Sequence, residues 1–170
     1  MSQAEAKAKS QKERDYYEPI KKKLENLLSK KTDQFHLEIT ADKRFSNKLK
    51  AEINKYGHRD IIFPFLKDAA PDITGFITEE SSSRVVVVEI KNEYIKIDDI
   101  YQTKKYAELF AAKYALLVST KEIPEEIKRL SRVVYQLLSG GYGYDKIILV
   151  QYDPEKNDFV EWFEKNPFAI

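Results

Sequence analysis

Apolar residues recur along this chain with two periods, one near 3.6 and one of 2, and the changes of period divide it into elements. Glu13, Tyr17, Ile20, Leu24 and Leu27 fall three and four residues apart, which predicts a helix over 13–31 with one mainly apolar stripe. Pro19 lies inside that span. Either the regular turns begin near Glu18 with the proline in the first of them, or the helix bends there. Residues 1–12 are rich in Ala, Lys, Gln and Ser and are expected to fray, leaving 13–170 as a single domain.

FHLEIT (35–40) alternates and reads as a strand. Asp42 is placed to cap a short helix with Phe45, Leu49, Ile53 and Tyr56 on its apolar side and Gly57 at its end. IIFPF (61–65) is apolar but holds Pro64, which predicts an edge strand or a strand end. DITGFIT (72–78), the turn EESSS and RVVVVEIK (84–91) form a hairpin. Asp98 and Asp99 open a helix reaching about Lys113, with Ile100, Thr103, Ala107, Phe110 and Ala111 inward, and YALLVS (114–119) follows as a buried strand. Pro124 opens a helix bearing Ile127, Leu130, Val134 and Leu137, which Gly140 and Gly141 end. KIILVQY and FVEWF close the chain as a second hairpin. This order describes an α/β sandwich with a central mixed β-sheet flanked by helices. No glycine-rich phosphate loop is present, which excludes a dinucleotide-binding fold.

Composition adds limits. With 170 residues, 42% of them hydrophobic, the chain supports one sizeable core. The net charge is only +1, so no global field marks a polyanion binder. The signs are locally uneven: nine basic and five acidic residues lie between Met1 and Lys31, and six basic and one acidic between Lys43 and Arg59. Arg44, Lys48, Lys50 and Lys55 are thus candidate contacts to DNA, with a solvated amphipathic face as the equal alternative. The absence of cysteine excludes disulfides, iron-sulfur clusters and thiolate zinc sites. No secretory signal or membrane span is apparent, so a cytoplasmic protein is expected. His36 and His58 lack ligand spacing to any other candidate and read as structural or exposed, and Tyr142, Tyr144 and Trp162 read as packing residues.

The chemistry concentrates on the valine strand. Side chains alternate along a strand, so Val85, Val87, Glu89 and Lys91 share one face and Val86, Val88 and Ile90 the other. A carboxylate in such a run is costly unless it is paired or binds a metal. The simplest alternative is a Glu/Lys pair where the strand leaves for solvent, since Glu-x-Lys also occurs at Glu5/Lys7 and Glu126/Lys128. Pro71-Asp72 begins the preceding strand, however, and the hairpin can bring Asp72 beside Glu89. Two carboxylates in one place repel unless a cation separates them, and hard oxygen donors suit Mg²⁺ or Mn²⁺. Lys91 beside them can orient a water or neutralise charge on a phosphate. Gln102 and Tyr106, four apart on the next helix, share one of its faces.

Asp72, then Glu89-Ile90-Lys91, then QTKKY (102–106) resembles the PD-(D/E)xK nuclease superfamily, and the Q-x-x-x-Y element is similar to that of RecB-like nucleases and of type I restriction subunit nuclease domains. The resemblance spans about 70–120 and implies a restriction-endonuclease-like sandwich acting as a Mg²⁺- or Mn²⁺-dependent deoxyribonuclease. It implies that Asp72, Glu89 and the carbonyl of Ile90 bind the metal and that Lys91 serves catalysis with Gln102 and Tyr106. An acidic residue of the first helix, Glu13 before Glu18, joins the metal set, and a homodimer is expected where both strands are cut. The competing reading is a nuclease-like fold that binds nucleic acid or assembles without cleaving.

Overall fold

In the computed structural model, which describes residues 2–55, 57–140 and 146–169 and only the backbone of 7–11, the valine run alternates as its period requires. Strand β3 (Ser82–Lys91) sends Val86, Val88 and Ile90 into one core and Val87 into a second core on the opposite face, with Val85 at its margin. β3 lies inside a six-stranded sheet whose order is the chain order: β1 (Phe35–Ile39), β2 (Ile73–Glu79), β3, β4 (Tyr114–Ser119), β5 (Ile147–Asp153) and β6 (Asp158–Trp162). The pairs β1/β2, β2/β3 and β5/β6 are antiparallel, and β3/β4 and β4/β5 are parallel.

Parallel neighbours need crossovers, supplied by α4 (Ile97–Leu109) and α5 (Glu125–Val133). Both steps move the same way across the sheet, so right-handed connections lay both helices on one face. There Ile100, Ala107, Phe110 and Ile127 pack with Val87, Leu117 and Leu149, joined by Leu49 and Ile53 of α3 (Asn47–Ile53). The other face is covered by α2 (Tyr17–Ser29), whose Ile20, Leu24 and Leu28 meet Ile73, Ile77, Val86, Val88 and Ile90. The chain is therefore an α/β protein with helices on both sides of a mixed sheet.

Several local expectations are corrected. The first helix is two, α1 (Gln3–Arg14) and α2, separated at Asp15 and Tyr16. The ring of Pro19 conflicts with the carbonyl four residues earlier, that of Asp15, and the break falls there while the proline sits in the first turn of α2. α1 begins earlier than expected because Ser2 caps it, its hydroxyl accepting from Glu5 N–H. Ser46, not Asp42, caps α3; Asp42 instead accepts from Arg44 N–H in the preceding loop.

IIFPF is no strand but part of a 3-10 helix, Arg59–Leu66, burying Ile62 and Leu66 four residues apart and leaving Ile61 and Phe65 66% and 72% exposed. A proline without an N–H fits such a turn better than a ladder. α4 stops at Leu109 because Ala111 takes a left-handed conformation, and the bonds Ala111 N–H to Glu108 O and Ala112 N–H to Ala107 O close the helix; Ala111 is exposed, not inward. α5 ends at Val133, and Leu137 joins the core from the segment beyond it. The β2/β3 turn narrows to Glu80 and Ser81, both left-handed, as a two-residue hairpin requires. Tyr56, Gly141, Tyr142 and Tyr144 lie outside the described residues.

Gly75 faces Leu37 across β1 and β2, so closely that an added Cβ would lie 2.0 Å from the His36 carbonyl oxygen and 2.9 Å from Leu37 Cα. Both are backbone atoms and cannot rotate away. Gly75→Ala is expected to lower unfolding stability in urea by about 3 kcal/mol or more; an unchanged midpoint would show that the two strands can separate at no cost.

Candidate active site

The β2/β3 register pairs Ile73 with Val88, so the next step brings Asp72 opposite Glu89. These carboxylates are 6% and 5% exposed. Neither emerges into solvent, which removes the simple strand-exit pair as an account of Glu89 and Lys91.

The surrounding backbone fixes Asp72. Its Oδ2 accepts the Ile90 N–H at 2.7 Å, its carbonyl accepts the Thr40 N–H at 2.8 Å, and the Thr40 hydroxyl donates to the Pro71 carbonyl at 2.6 Å. The Tyr17 hydroxyl reaches Asp72 from α2 and lies 3.4 Å from Glu13 Oε1. Glu13, in the last turn of α1, also accepts from the backbone of Asn92, just past β3. The break at Asp15 thus leaves Glu13 and Tyr17 facing the same strand ends.

Glu89 is less well satisfied. Oε1 is 3.5 Å from Lys91 Nζ, while Oε2 is buried with no hydrogen-bond partner among the described residues. Lys91 Nζ is also 3.7 Å from Asp99 Oδ1, and Asp99 is held in the first turn of α4 by accepting the Lys96 N–H at 2.9 Å. The strand end carrying Lys91 is pinned to β4 by Thr120 N–H donating to the Lys91 carbonyl at 3.0 Å. On α4, Gln102 Nε2 donates to the Tyr106 hydroxyl at 3.0 Å.

The electrostatics follow from burial and crowding. Desolvation raises the Asp72 pKa to about 6, with the neighbouring Glu13 adding to the rise and the Ile90 N–H, Tyr17 and Lys91 opposing it. Glu89 is raised well above the usual carboxylate range, first by burial and then by repulsion from Asp72. Glu13 is also raised, chiefly by burial. For Lys91 burial pulls the pKa down, but Glu89, Asp99, Glu13 and Asp72 outweigh it, so the side chain stays a cation. Burial lifts Tyr106 to about 12, helped by Glu89 and Asp72, so its hydroxyl keeps its proton. The assembly is acid-rich, largely buried and, among the described residues, short of one partner for a buried oxygen. Two anionic oxygen donors with no soft ligand beside them have the chemistry a hard divalent cation takes.

The structure brings together Asp72, Glu89, Lys91, Gln102, Tyr106 and Glu13, each named from the sequence. Among the described residues no three His, Asp or Glu side chains converge as a ready-made metal cluster. Any such site here rests on two carboxylates plus backbone, with Glu13 acting through its charge. Arg44, Lys48, Lys50 and Lys55 do not enter the cluster. They lie exposed on α3, the loop before it and the turn after it, with Lys48 and Lys50 over the Phe76 and Phe63 rings and Lys55 3.9 Å from Glu52. That loop starts at Thr40, beside Asp72. His36 pairs with Glu38 at 3.1 Å, His58 is an exposed turn residue, and Trp162 packs on Phe159 and Phe168.

Sequence reasoning missed Asp99 and Tyr17 as members of the site. Asp99 was visible only as a helix-opening acid, and Tyr17 only as a stripe residue four after Glu13. Among the described residues no helix is long and apolar enough to cross a membrane. The chain matches no protein-family model, no curated protein and no solved structure.

The raised carboxyls give a testable sign. A carboxyl near 6 when folded and near 3.9 when unfolded binds more protons in the folded state between those values. Its burial therefore destabilises the protein above about pH 6, and the penalty fades as pH falls toward 4. Asp72→Asn is expected to be more stable than the wild type at pH 8 in the presence of a chelator, by about 2–3 kcal/mol. The difference should close by pH 4. Urea denaturation across this range checks it, and an Asn variant weaker than wild type at pH 8 would show that the Asp72 charge is well compensated.

Proposed function

We propose that this chain is a divalent-metal-dependent nuclease that hydrolyses phosphodiester bonds of DNA, built on a restriction-endonuclease-like α/β sandwich. The observation that carries the reading is the buried, opposed pair Asp72 and Glu89, with Glu89 Oε2 lacking a partner among the described residues and the Lys91 ammonium 3.5 Å from Oε1. A structural ion pair would leave no carboxylate oxygen orphaned and would not stack a second acid against the first. An ion site accounts for both. Asp72, Glu89 and the Ile90 carbonyl would hold Mg²⁺ or Mn²⁺, with Glu13 adding negative charge. When bound, the ion supplies Lewis-acid activation of water and of the phosphate oxygens.

The protein's own groups then have distinct tasks. Lys91, kept protonated by the four acids around it, is a hydrogen-bond donor and a charge, not a general base. It orients the attacking water or neutralises a non-bridging phosphate oxygen as charge develops there. Asp99 positions Lys91 from α4. The Tyr106 hydroxyl, unable to ionise near neutral pH, and Gln102, which holds it, donate to the substrate phosphate. The exposed Arg44, Lys48, Lys50 and Lys55 would contact the DNA backbone, where each cation adds salt-sensitive affinity.

The test is incubation of the full chain with linear, circular, single-stranded and branched DNA in Mg²⁺ or Mn²⁺. Asp72→Ala and Glu89→Ala are expected to abolish cleavage, and Lys91→Ala to slow it about 100-fold or more, with smaller losses for Gln102→Ala and Tyr106→Phe. Cleavage that survives both Asp72→Ala and Lys91→Ala would sink the proposal. DNA binding with neither cleavage nor metal uptake would leave a binding or assembly module on this fold.

A further inference from the structure

α4 presents two different faces beside the carboxylate pair. At about 100° per residue, Asp99, Gln102 and Tyr106 fall together toward Lys91, whereas Ile97 and Tyr101, one turn apart, fall on an outer face. Lys105 lies between the two sets. On that outer face Tyr101 is 54% exposed and Ile97 43%, and Tyr94, just before the helix, is 55% exposed. Burial does not explain these residues, since Ile100, Tyr106, Ala107 and Phe110 already fill the core beneath α4. Tyr101 is nevertheless held in place. Lys104 Nζ sits 5.3 Å from its ring centroid and is itself anchored by the carbonyls of Gln136 at 2.7 Å and Leu137 at 3.3 Å. Lys105 Nζ leans over the Tyr106 ring at 5.1 Å, toward the site.

The order around the helix is thus an exposed ring on an anchored cation, then Lys105 over the Tyr106 ring, then the phosphate-directed Gln102 and Tyr106. A nucleotide has the same order, base, backbone and scissile phosphate. Resting on the nuclease reading above, we propose that Tyr101, with Ile97 one turn before it, is a stacking platform for an unpaired base next to the phosphate at Asp72 and Glu89. The substrate is then DNA with a single-stranded segment, not continuous duplex. A base inside a duplex has both faces covered by its neighbours, while an unpaired one offers a free face that an aromatic side chain can take regardless of sequence. Lys105 neutralises the backbone between base and site.

Binding of fluorescein-labelled oligothymidylate and of a blunt duplex of equal length, followed by anisotropy with a chelator present, separates this claim from the cleavage claim. Tyr101→Ala should weaken oligothymidylate binding about tenfold, Tyr101→Phe should retain it, and duplex binding should be unchanged. Equal losses on both probes, or none on either, would overturn the platform even if the protein cleaves DNA. A self-association seen by sedimentation and lost in Tyr101→Ala would also overturn it, assigning this face to a second copy of the chain. A platform that passes while cleavage is absent would instead leave base binding standing and remove the nuclease reading.

Discussion

Two carboxylates facing each other out of water is the constraint around which the rest of this protein is arranged. Asp72 and Glu89 repel, and burial amplifies the repulsion because no solvent screens it. The fold tolerates them by surrounding each with what neighbouring strands and helices provide: the Ile90 N–H and Tyr17 of α2 for Asp72, and Lys91 for Glu89. These partners are insufficient, as the raised pKa of both acids records. A protein selected for stability alone would place apolar or amide side chains there. The uncompensated charge is the observation on which the proposed cation site rests.

The fold makes that placement rigid. Val86, Val88 and Ile90 lock β3 against α2 on one side while Val87 locks it against the α4 face on the other, so the strand cannot slip by a residue without exposing a whole row. The same register sets Glu89 opposite Asp72. Thr40, bonded to both Pro71 and Asp72, extends this control to β1, and Asp99 extends it to α4. The charged groups at the site therefore come from several elements, Glu13 from α1, Glu89 and Lys91 from β3 and Asp99 from α4, and α4 bears on the cluster through Asp99, Gln102 and Tyr106.

What could be read from the sequence follows from how local each determinant is. The period of two in β3 depends only on strand geometry, so the division of its residues between two faces was legible. The Asp72, Glu89, Lys91 grouping was legible because a hairpin links neighbouring segments. IIFPF misled because an apolar run with a proline fits either a strand edge or a 3-10 turn, and only the burial of Ile62 and Leu66 decides. The helix break at Asp15 was implicit in Pro19, one of two alternatives its ring allows. Asp99 was hidden for a different reason: its role depends on the distance from α4 to β3, which no spacing along the chain encodes.

The central claim is that the buried pair is a cation site, and proton release on metal binding tests it most directly. Calorimetric titration of Mg²⁺ or Mn²⁺ near pH 6, in two buffers of different ionisation enthalpy, counts the protons displaced. Because Asp72 is held near 6 and Glu89 is raised well above the usual carboxylate range, binding should release protons, and Asp72→Asn should abolish the heat. Binding that releases no protons, or that survives Asp72→Asn, would contradict the account.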